Sequence, residues 1–486
     1  MILAIDQGTT SSRAIAFDLN GVPCRTAQAE FAQHYPESGW VEHDAEEIWA
    51  TTLKVSQEAM GDDVTAIGIT NQRETILLWD RATGKPLYNA IVWQDRRTAD
   101  LCAAMKADDL EPMVQSKTGL LLDPYFSATK LKWLLDNIPG ARSRAAKGEL
   151  AAGTIDSFLL WQLTGGRVHA TDITNAGRTM LCNIHDGAWD AELLALFDIP
   201  LNILPTIHAN THLFGETDPT LFGRAIPIAG MAGDQQSALI GQACFVPGMV
   251  KSTYGTGCFM LMNMGTKAVA SQARLLTTPA YRIGDTTTYA LEGSIFVAGA
   301  AIKWLRDKIG LIDASEESES MARAAHPDHG VTVVPAFVGL GAPYWNPQAR
   351  GLITGMTLDT TAADLVRATL EAIAFQTRDL TEAMAKDGAP MPAAIRIDGG
   401  MSQNAWFAQF LADTLGAPVE RPQSHETTAW GAAVLAGLTT GVFADTNEVA
   451  ANWSAAARFE PAMPEVARAA LYAGWQQAVT RTLLQS

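Results

Sequence analysis

Short apolar runs of strand length alternate along this chain with longer stretches in which apolar side chains recur every three to four residues. The first run, residues 1–5, meets a carboxylate and breaks at once into Asp6-Gln7-Gly8-Thr9-Thr10-Ser11-Ser12-Arg13, and a second run resumes at 14–17. Gly8 frees the backbone to turn, the hydroxyl run supplies short donors, and Arg13 adds positive charge. The same unit returns at 249–262, where a run up to Tyr254 breaks at Gly255-Thr256-Gly257-Cys258 before Phe259 begins the next. Taken alone, a glycine-centred turn is ordinarily only a hairpin. A third segment changes that reading. Ala394-Ile395-Arg396-Ile397-Asp398-Gly399-Gly400 is another strand ending on glycines, and residues 401–411 behind it read as a helix whose N-terminus suits an anion. These loops predict two related lobes that hold a phosphate-bearing ligand between them.

Between these landmarks the elements alternate. Asp44-Ala45-Glu46-Glu47 resembles a capping box and opens a helix to about residue 60, and a strand at 65–70 runs into Asn71-Gln72-Arg73-Glu74. The pattern then predicts a strand at 89–94, a helix from Asp123-Pro124-Tyr125-Phe126 to 135, a strand-to-helix stretch at 154–163, and a strand at 226–229 before Gly230-Met231-Ala232-Gly233-Asp234. The second half continues with strands near 288–291, 331–334 and 395–397, a long amphipathic helix over 362–385 and a last helix after Pro464. This is the α/β style, with helices covering sheet faces. A chain of 486 residues exceeds one ordinary core. The Pro-Gly turn in Phe245-Val246-Pro247-Gly248 divides it into domains 1–247 and 248–486.

Composition narrows the function. The net charge of −17 repels nucleic acid and anionic membrane, so any phosphate must be met by local glycine loops, a few cations and a metal ion. The five cysteines are odd in number and lack C-x-x-C spacing, which fits free thiols in a reducing compartment. No leader pattern precedes the first strand and no apolar stretch reaches membrane-spanning length, so a cytoplasmic protein without membrane insertion is expected.

Several residues carry candidate chemistry. In Gly233-Asp234-Gln235-Gln236 a carboxylate follows an apolar strand, where it is placed either to accept an alcohol proton or to cap the helix over 237–244. At Arg73-Glu74 a guanidinium can donate to hydroxyl oxygens while a carboxylate accepts their protons, which satisfies both sides of a diol. Neighbouring strand residues point to opposite faces, so both reach one ligand only if the strand has ended by Asn71.

The stretches DQGTTSSRA, NQRET, NAIVWQDRRT, GDQQSALIGQ, STYGTGCF, GLGAPYW and DGG resemble the FGGY family of carbohydrate kinases, and within it the members that phosphorylate glycerol. The likeness runs from residue 1 to the last helix. It implies an α/β fold of two actin-like (ribonuclease H-like) domains, with a nucleotide and substrate cleft between them. It also implies ATP-dependent conversion of glycerol to sn-glycerol 3-phosphate, with Mg2+ as cofactor, in a homo-oligomer (dimer or tetramer). By this resemblance Asp234 is the general base, and Arg73, Glu74, Tyr125 and Gln235 meet the hydroxyls. Trp93 and Phe259 form an apolar wall, although large aromatics also serve as plain core. Thr9, Thr10, Ser11 and Arg13 match the β/γ-phosphate loop. Thr256, Gly299, Gly400 and Asn404 match nucleotide contacts, and Gly299 taken alone reads as close helix packing. Asp6 and Asp234 match the residues near the metal, Asp6 through water.

Two departures stand out. Lys303 replaces the glutamine expected near the nucleotide, where it either adds a cation beside the phosphates or extends its head to water. Residues 216–224 lack the Gly-Gly-Lys-Gly-Gly run by which some members bind fructose 1,6-bisphosphate, and they hold no histidine; His212 lies just upstream. Both family modes of control are thereby put in question. A kinase for another small polyol or sugar is the near alternative. An actin-like ATPase is the distant one, and it should lack the polyol clasp.

Overall fold

The computed structural model describes residues 1–484. Its first half is built on a six-stranded sheet in the order Gly215–Glu216, Pro227–Gly233, Ala66–Asn71, Ile2–Gln7, Ser11–Phe17, Pro23–Glu30. The three strands from Pro227–Gly233 to Ile2–Gln7 are parallel and in step: Asp6 lies opposite Thr70, and Thr70 opposite Ala232. Their carboxyl ends therefore open on one edge, where α/β sheets hold ligands.

The second half repeats this plan in a seven-stranded sheet. Its order is Leu276–Ile283, Thr286–Ile295, Cys258–Gly265, Val250–Tyr254, Ile395–Asp398, Val419–Pro422, Ala455–Phe459. The antiparallel hairpin of Val250–Tyr254 and Cys258–Gly265 matches that of Ile2–Gln7 and Ser11–Phe17, and two parallel strands follow it on the other side; beyond the hairpin the second sheet differs, since Thr286–Ile295 lies between Cys258–Gly265 and the edge strand Leu276–Ile283. The helices agree as well: Ala45–Ala59 and Ala362–Lys386 each lead into the first of those parallel strands, and Asp234–Gly241 and Thr427–Thr439 each follow the second. The paired lobes expected from the two glycine hairpins are present and share this hairpin, parallel-strand and helix core.

The last two helices join the lobes. Ala429, Ala432, Ala433 and Ala436 of Thr427–Thr439 pack with Ile2, Ala4, Ile15 and Phe17 of the first sheet in one apolar cluster. Small side chains let the helices Thr427–Thr439 and Asp234–Gly241 approach until their backbones nearly touch. A Cβ on Gly431 would lie 1.8 Å from the Ser237 carbonyl oxygen, closer than any atoms can sit. Gly431→Ala must force this seam apart, and we expect it to lower stability by at least ~1–3 kcal/mol, read as a lower midpoint in urea. An unchanged midpoint would mean that the seam yields freely.

Several elements differ from expectation. The strand foreseen at 89–94 is only Ala90–Ile91, part of a four-stranded sheet with Glu42–His43, Ile76–Asp80 and Leu150–Thr154. The helix foreseen from Asp123 begins at Ser127–Asn137, because Asp123 Oδ1 accepts from the Tyr125 N–H at 2.9 Å and holds a turn that keeps Tyr125 outside the helix. Residues 154–163 are almost wholly the helix Ile155–Leu163, after the strand Leu150–Thr154. Behind Asp398 a 3-10 turn, Gly400–Gln403, precedes the helix Ala405–Leu415. All five cysteines are free thiols. Among the described residues no helix is long and apolar enough to cross a membrane.

Candidate active site

The strand Ala66–Asn71 ends with Gln72 still between it and the expected clasp. Glu74 then adopts φ 60°, a left-handed conformation that costs an L-residue about 1–2 kcal/mol, and the Thr75 N–H closes on the Arg73 carbonyl at 2.7 Å. This turn releases the two neighbours from opposite faces and sends both side chains into one buried region, which meets the stereochemical condition set by the sequence.

Arg73 is buried and held at its far end. Its Nη1 and Nη2 donate to the two Glu292 oxygens at 2.6 and 3.0 Å, and Nη1 also donates to Gln236 Oε1 at 3.1 Å. The remaining edge faces the other candidates: Nε lies 3.2 Å from Asp234 Oδ1 and 3.8 Å from Glu74 Oε1, and Nη2 donates to the Tyr125 hydroxyl at 3.5 Å. Arg178 completes an alternating ring, donating from Nε to Glu74 Oε1 at 2.5 Å and from Nη2 to Glu292 Oε1 at 3.0 Å. Two guanidinium groups and two carboxylates thus neutralise one another out of water. Burial alone would raise the Glu292 carboxyl, but Arg178 and Arg73 outweigh it and hold the group down at about 2. Burial prevails at Glu74, whose pKa is raised despite Arg178 and Arg73.

Asp234 sits at the rim. It is the first residue of the helix Asp234–Gly241, and Gly233 occupies the cap position without a side-chain bond. Its Oδ1 accepts from the adjacent Gln235 N–H at 2.7 Å rather than from the second or third turn residue that a capping carboxylate serves. Its side chain is 31% exposed against 2% for Arg73, which leaves the carboxylate facing the cleft. The capping alternative is therefore not the observed arrangement.

Trp93, Tyr125 and Phe259 pack as one aromatic group. The Trp93 ring stands edge-on to Tyr125 and Phe259, with centroids 5.7 and 6.3 Å apart, and its Nε1–H donates to Thr9 Oγ1 at 3.0 Å. One indole thus ties this aromatic group to the glycine loop. Tyr125 is fixed from behind by buried Lys130, which donates to the carbonyls of Tyr125 at 2.9 Å and Val92 at 3.2 Å, and whose pKa burial pulls down to about 7.

On the nucleotide side, Gly8 and Ser11 close a turn, with the Gly8 N–H on the Ser11 carbonyl at 2.9 Å, and Thr10 is exposed at its tip. Gln28 donates to Ser11 Oγ at 3.0 Å. Arg13 pairs with Glu426 of the second lobe and donates to Gln28 Oε1. The Thr256 carbonyl accepts from Ala298 and Ala300 at 2.9 and 3.0 Å, joining the second glycine loop to the start of the helix Gly299–Trp304. A Cβ on Gly299 would come within 2.6 Å of the Gly255 carbonyl oxygen, so this glycine lets the helix start approach the backbone of the second glycine loop rather than another helix. Gly400 has open space where a Cβ would stand. Asn404 uses its oxygen to cap the helix Ala405–Leu415 through the Phe407 N–H at 2.9 Å, and its amide donates to Ser318 Oγ at 3.2 Å. Lys303 is exposed on the helix that Gly299 begins. Arg224, in the segment without the glycine run, donates to the Val64 and Gly61 carbonyls at 2.6 and 3.1 Å.

Asp6 accepts no side-chain hydrogen bond among the described residues. Enclosure, with Asp234 and Glu426 nearby, outweighs Arg13 and pushes its carboxyl up to about 7. A carboxylate so placed favours a cation. Among the described residues no group of three or more His, Cys, Asp or Glu could hold a metal.

Glu292, Arg178, Lys251, Lys130 and Glu426 escaped the sequence reading. A weak signal existed for two of them. Glu292 follows Ala290-Leu291 and Lys251 follows Met249-Val250, and a charge set into an apolar strand requires a partner.

Comparison with known proteins agrees with this architecture. Residues 1–241 match the N-terminal domain, and residues 250–440 the C-terminal domain, of the FGGY family of carbohydrate kinases. The glycerol kinase of Ectopseudomonas mendocina is 59% identical over 486 residues, covering 99% of this chain and 98% of that protein. That of Gluconobacter oxydans is 57% identical over 490 residues, covering 100% and 96%. The crystal structure of Plasmodium falciparum glycerol kinase with ADP superposes with a TM-score of 0.94 at 39% identity, covering 99% of this chain and 98% of that one. A xylulose kinase from Lactobacillus acidophilus shares the fold, with a TM-score of 0.90 at 22% identity and coverage of 100% and 98%. By its two matched domains and its full-length relatives, the chain belongs to the FGGY family of carbohydrate kinases.

Proposed function

We propose that this chain transfers the γ-phosphoryl group of ATP to a terminal hydroxyl of glycerol, giving sn-glycerol 3-phosphate and ADP. The observation that carries this reading is the edge of Arg73 that meets Asp234, Glu74 and the Tyr125 hydroxyl together. A small triol needs both donors and acceptors at such a spot, and an apolar surface for its carbon side, which Trp93 and Phe259 supply. An ATPase without an alcohol substrate has no use for this set.

In this mechanism residues 1–247 hold the polyol and the transferred phosphate, and residues 248–486 hold the nucleotide. Asp234 takes the proton of the attacking hydroxyl. The hydroxyls and amides of Thr9, Thr10 and Ser11, with Arg13, meet the charge that spreads over the phosphoryl oxygens. Arg13 must exchange Glu426 for phosphate as ATP binds. Thr256, Gly299, Gly400 and Asn404 border the nucleotide, where a backbone contact suits Asn404 because its side chain is occupied, and Lys303 adds a cation from the solvent side. Asp6 and Asp234 would hold Mg2+, chiefly through water, and the ion would neutralise the phosphates. Free thiols favour a reducing, cytoplasmic setting.

The test is ADP release with magnesium, with and without glycerol and across a panel of polyols, with the product identified by mass. Glycerol should give the largest stimulation. Equal ATP consumption without any polyol would overturn the proposal, and a larger kcat/KM for another polyol would move it to that substrate.

A further inference from the structure

We infer that Lys251 is a positioning residue for the polyol pocket, acting from the second lobe to set which way the Gln235 amide faces. The inference rests on the functional reading above. Lys251 lies on the strand Val250–Tyr254 and is completely buried. Its ammonium donates to Gln235 Oε1 across the lobe boundary and, at 3.4 Å, to the carbonyl of Phe259. Its two partners are thus a hydroxyl-binding candidate and a residue of the apolar wall.

The chemistry of the contact decides the orientation. An ammonium has donors and no acceptor, so the amide must turn its oxygen toward Lys251 and its NH2 away from it. The Gln235 nitrogen makes no hydrogen bond among the described residues, and Gln235 is half-buried directly after Asp234. The amide therefore presents N–H donors, not an acceptor, beside the carboxylate that takes the hydroxyl proton. A polyol oxygen is bound there as acceptor while its neighbour gives a proton to Asp234. Without Lys251 the amide can flip, and half of its orientations set an oxygen against that substrate oxygen. Burying a lysine is costly, and burial lowers the pKa of this one, with Asp398 and Asp234 opposing. A plain core position would be filled by an apolar side chain.

The experiment is a double-mutant cycle in glycerol kinetics. Lys251→Met should raise the glycerol KM at least ~10-fold, the loss expected for a charge-assisted hydrogen bond, with the ATP KM within about 2-fold of the unmodified chain. Gln235→Ala should also raise the glycerol KM. Adding Lys251→Met to Gln235→Ala should then change it by less than about 2-fold, because the group that Lys251 orients is gone. Lys251→Arg, which keeps a donor, should stay nearer the unmodified KM than the Met variant, and it tests the same contact if Lys251→Met does not fold. Multiplicative effects in the cycle, or equal KM values for the Met and Arg variants, would overturn the positioning role and leave the functional reading standing. Absence of glycerol-dependent turnover in the unmodified chain would overturn both.

Discussion

Asp234→Asn should leave glycerol binding measurable while kcat falls by about 10²–10⁴, the range for losing a positioned general base. An amide of the same shape can orient a hydroxyl but cannot take its proton. The alternative role makes the opposite prediction: in a helix cap Asn serves nearly as well as Asp, and activity would barely change. The geometry already argues against a cap, since Oδ1 bonds only the next N–H and the group lies 3.2 Å from Arg73 Nε. The measurements are kcat under saturating substrates and glycerol binding by calorimetry. A folded variant with near-normal kcat would remove Asp234 from proton transfer, and lost glycerol binding with intact ATP binding would make it chiefly a substrate ligand.

Arg73→Ala should raise the glycerol KM by about 10–100-fold, since charge-assisted hydrogen bonds to the polyol are each worth ~1.5–3 kcal/mol, and should leave the ATP KM nearly unchanged. The same change strands Glu292, a fully buried carboxylate, with Arg178 as its remaining partner. Breaking a buried pair from one side costs about 3–5 kcal/mol, so the variant should also melt earlier. The pH dependence follows by linkage. Glu292 has its pKa lowered from 4.5 to about 2 in the folded chain, so its contribution is present above pH 4.5 and is lost as the pH falls from 4.5 toward 2. Losing Arg73 should flatten that acid limb. Arg73→Lys keeps the charge without the two-pronged geometry; it should fold better than the Ala variant yet still show the raised glycerol KM. A glycerol KM unchanged in both variants would remove Arg73 from the pocket.

The strand, glycine turn and strand at 1–17 and at 249–262 were legible because each is made by neighbours in sequence: an apolar run, a residue without a Cβ, short hydroxyls. The clasp Arg73-Glu74 and the carboxylate Asp234 were legible for a similar reason, since each follows a strand end that the chain itself marks. The sequence also stated the condition on the clasp, that the strand end by Asn71, although it could not report that Glu74 meets it by turning to φ 60°. Where a local competitor acted, the reading slipped. The turn held by Asp123 delays the helix to Ser127.

What the tertiary structure alone decided is how the charges pair. Glu292 meets Arg73 across 219 positions and Arg178 across 114, and Arg13 meets Glu426 across 413. An isolated charge in an apolar strand says that a partner must exist, because an unpaired charge cannot be buried, but it does not say which residue the partner is. That choice is made by the packing of one lobe on the other through the Thr427–Thr439 and Asp234–Gly241 helices. The sequence by itself determined the two-lobed plan and named Arg73, Glu74 and Asp234 as candidates, since the loops and strand ends that mark them are written in short local patterns. The ring of buried ions that holds Arg73, and Lys251 behind Gln235, arise only when the two halves close on each other, because Coulomb pairing and desolvation act through space.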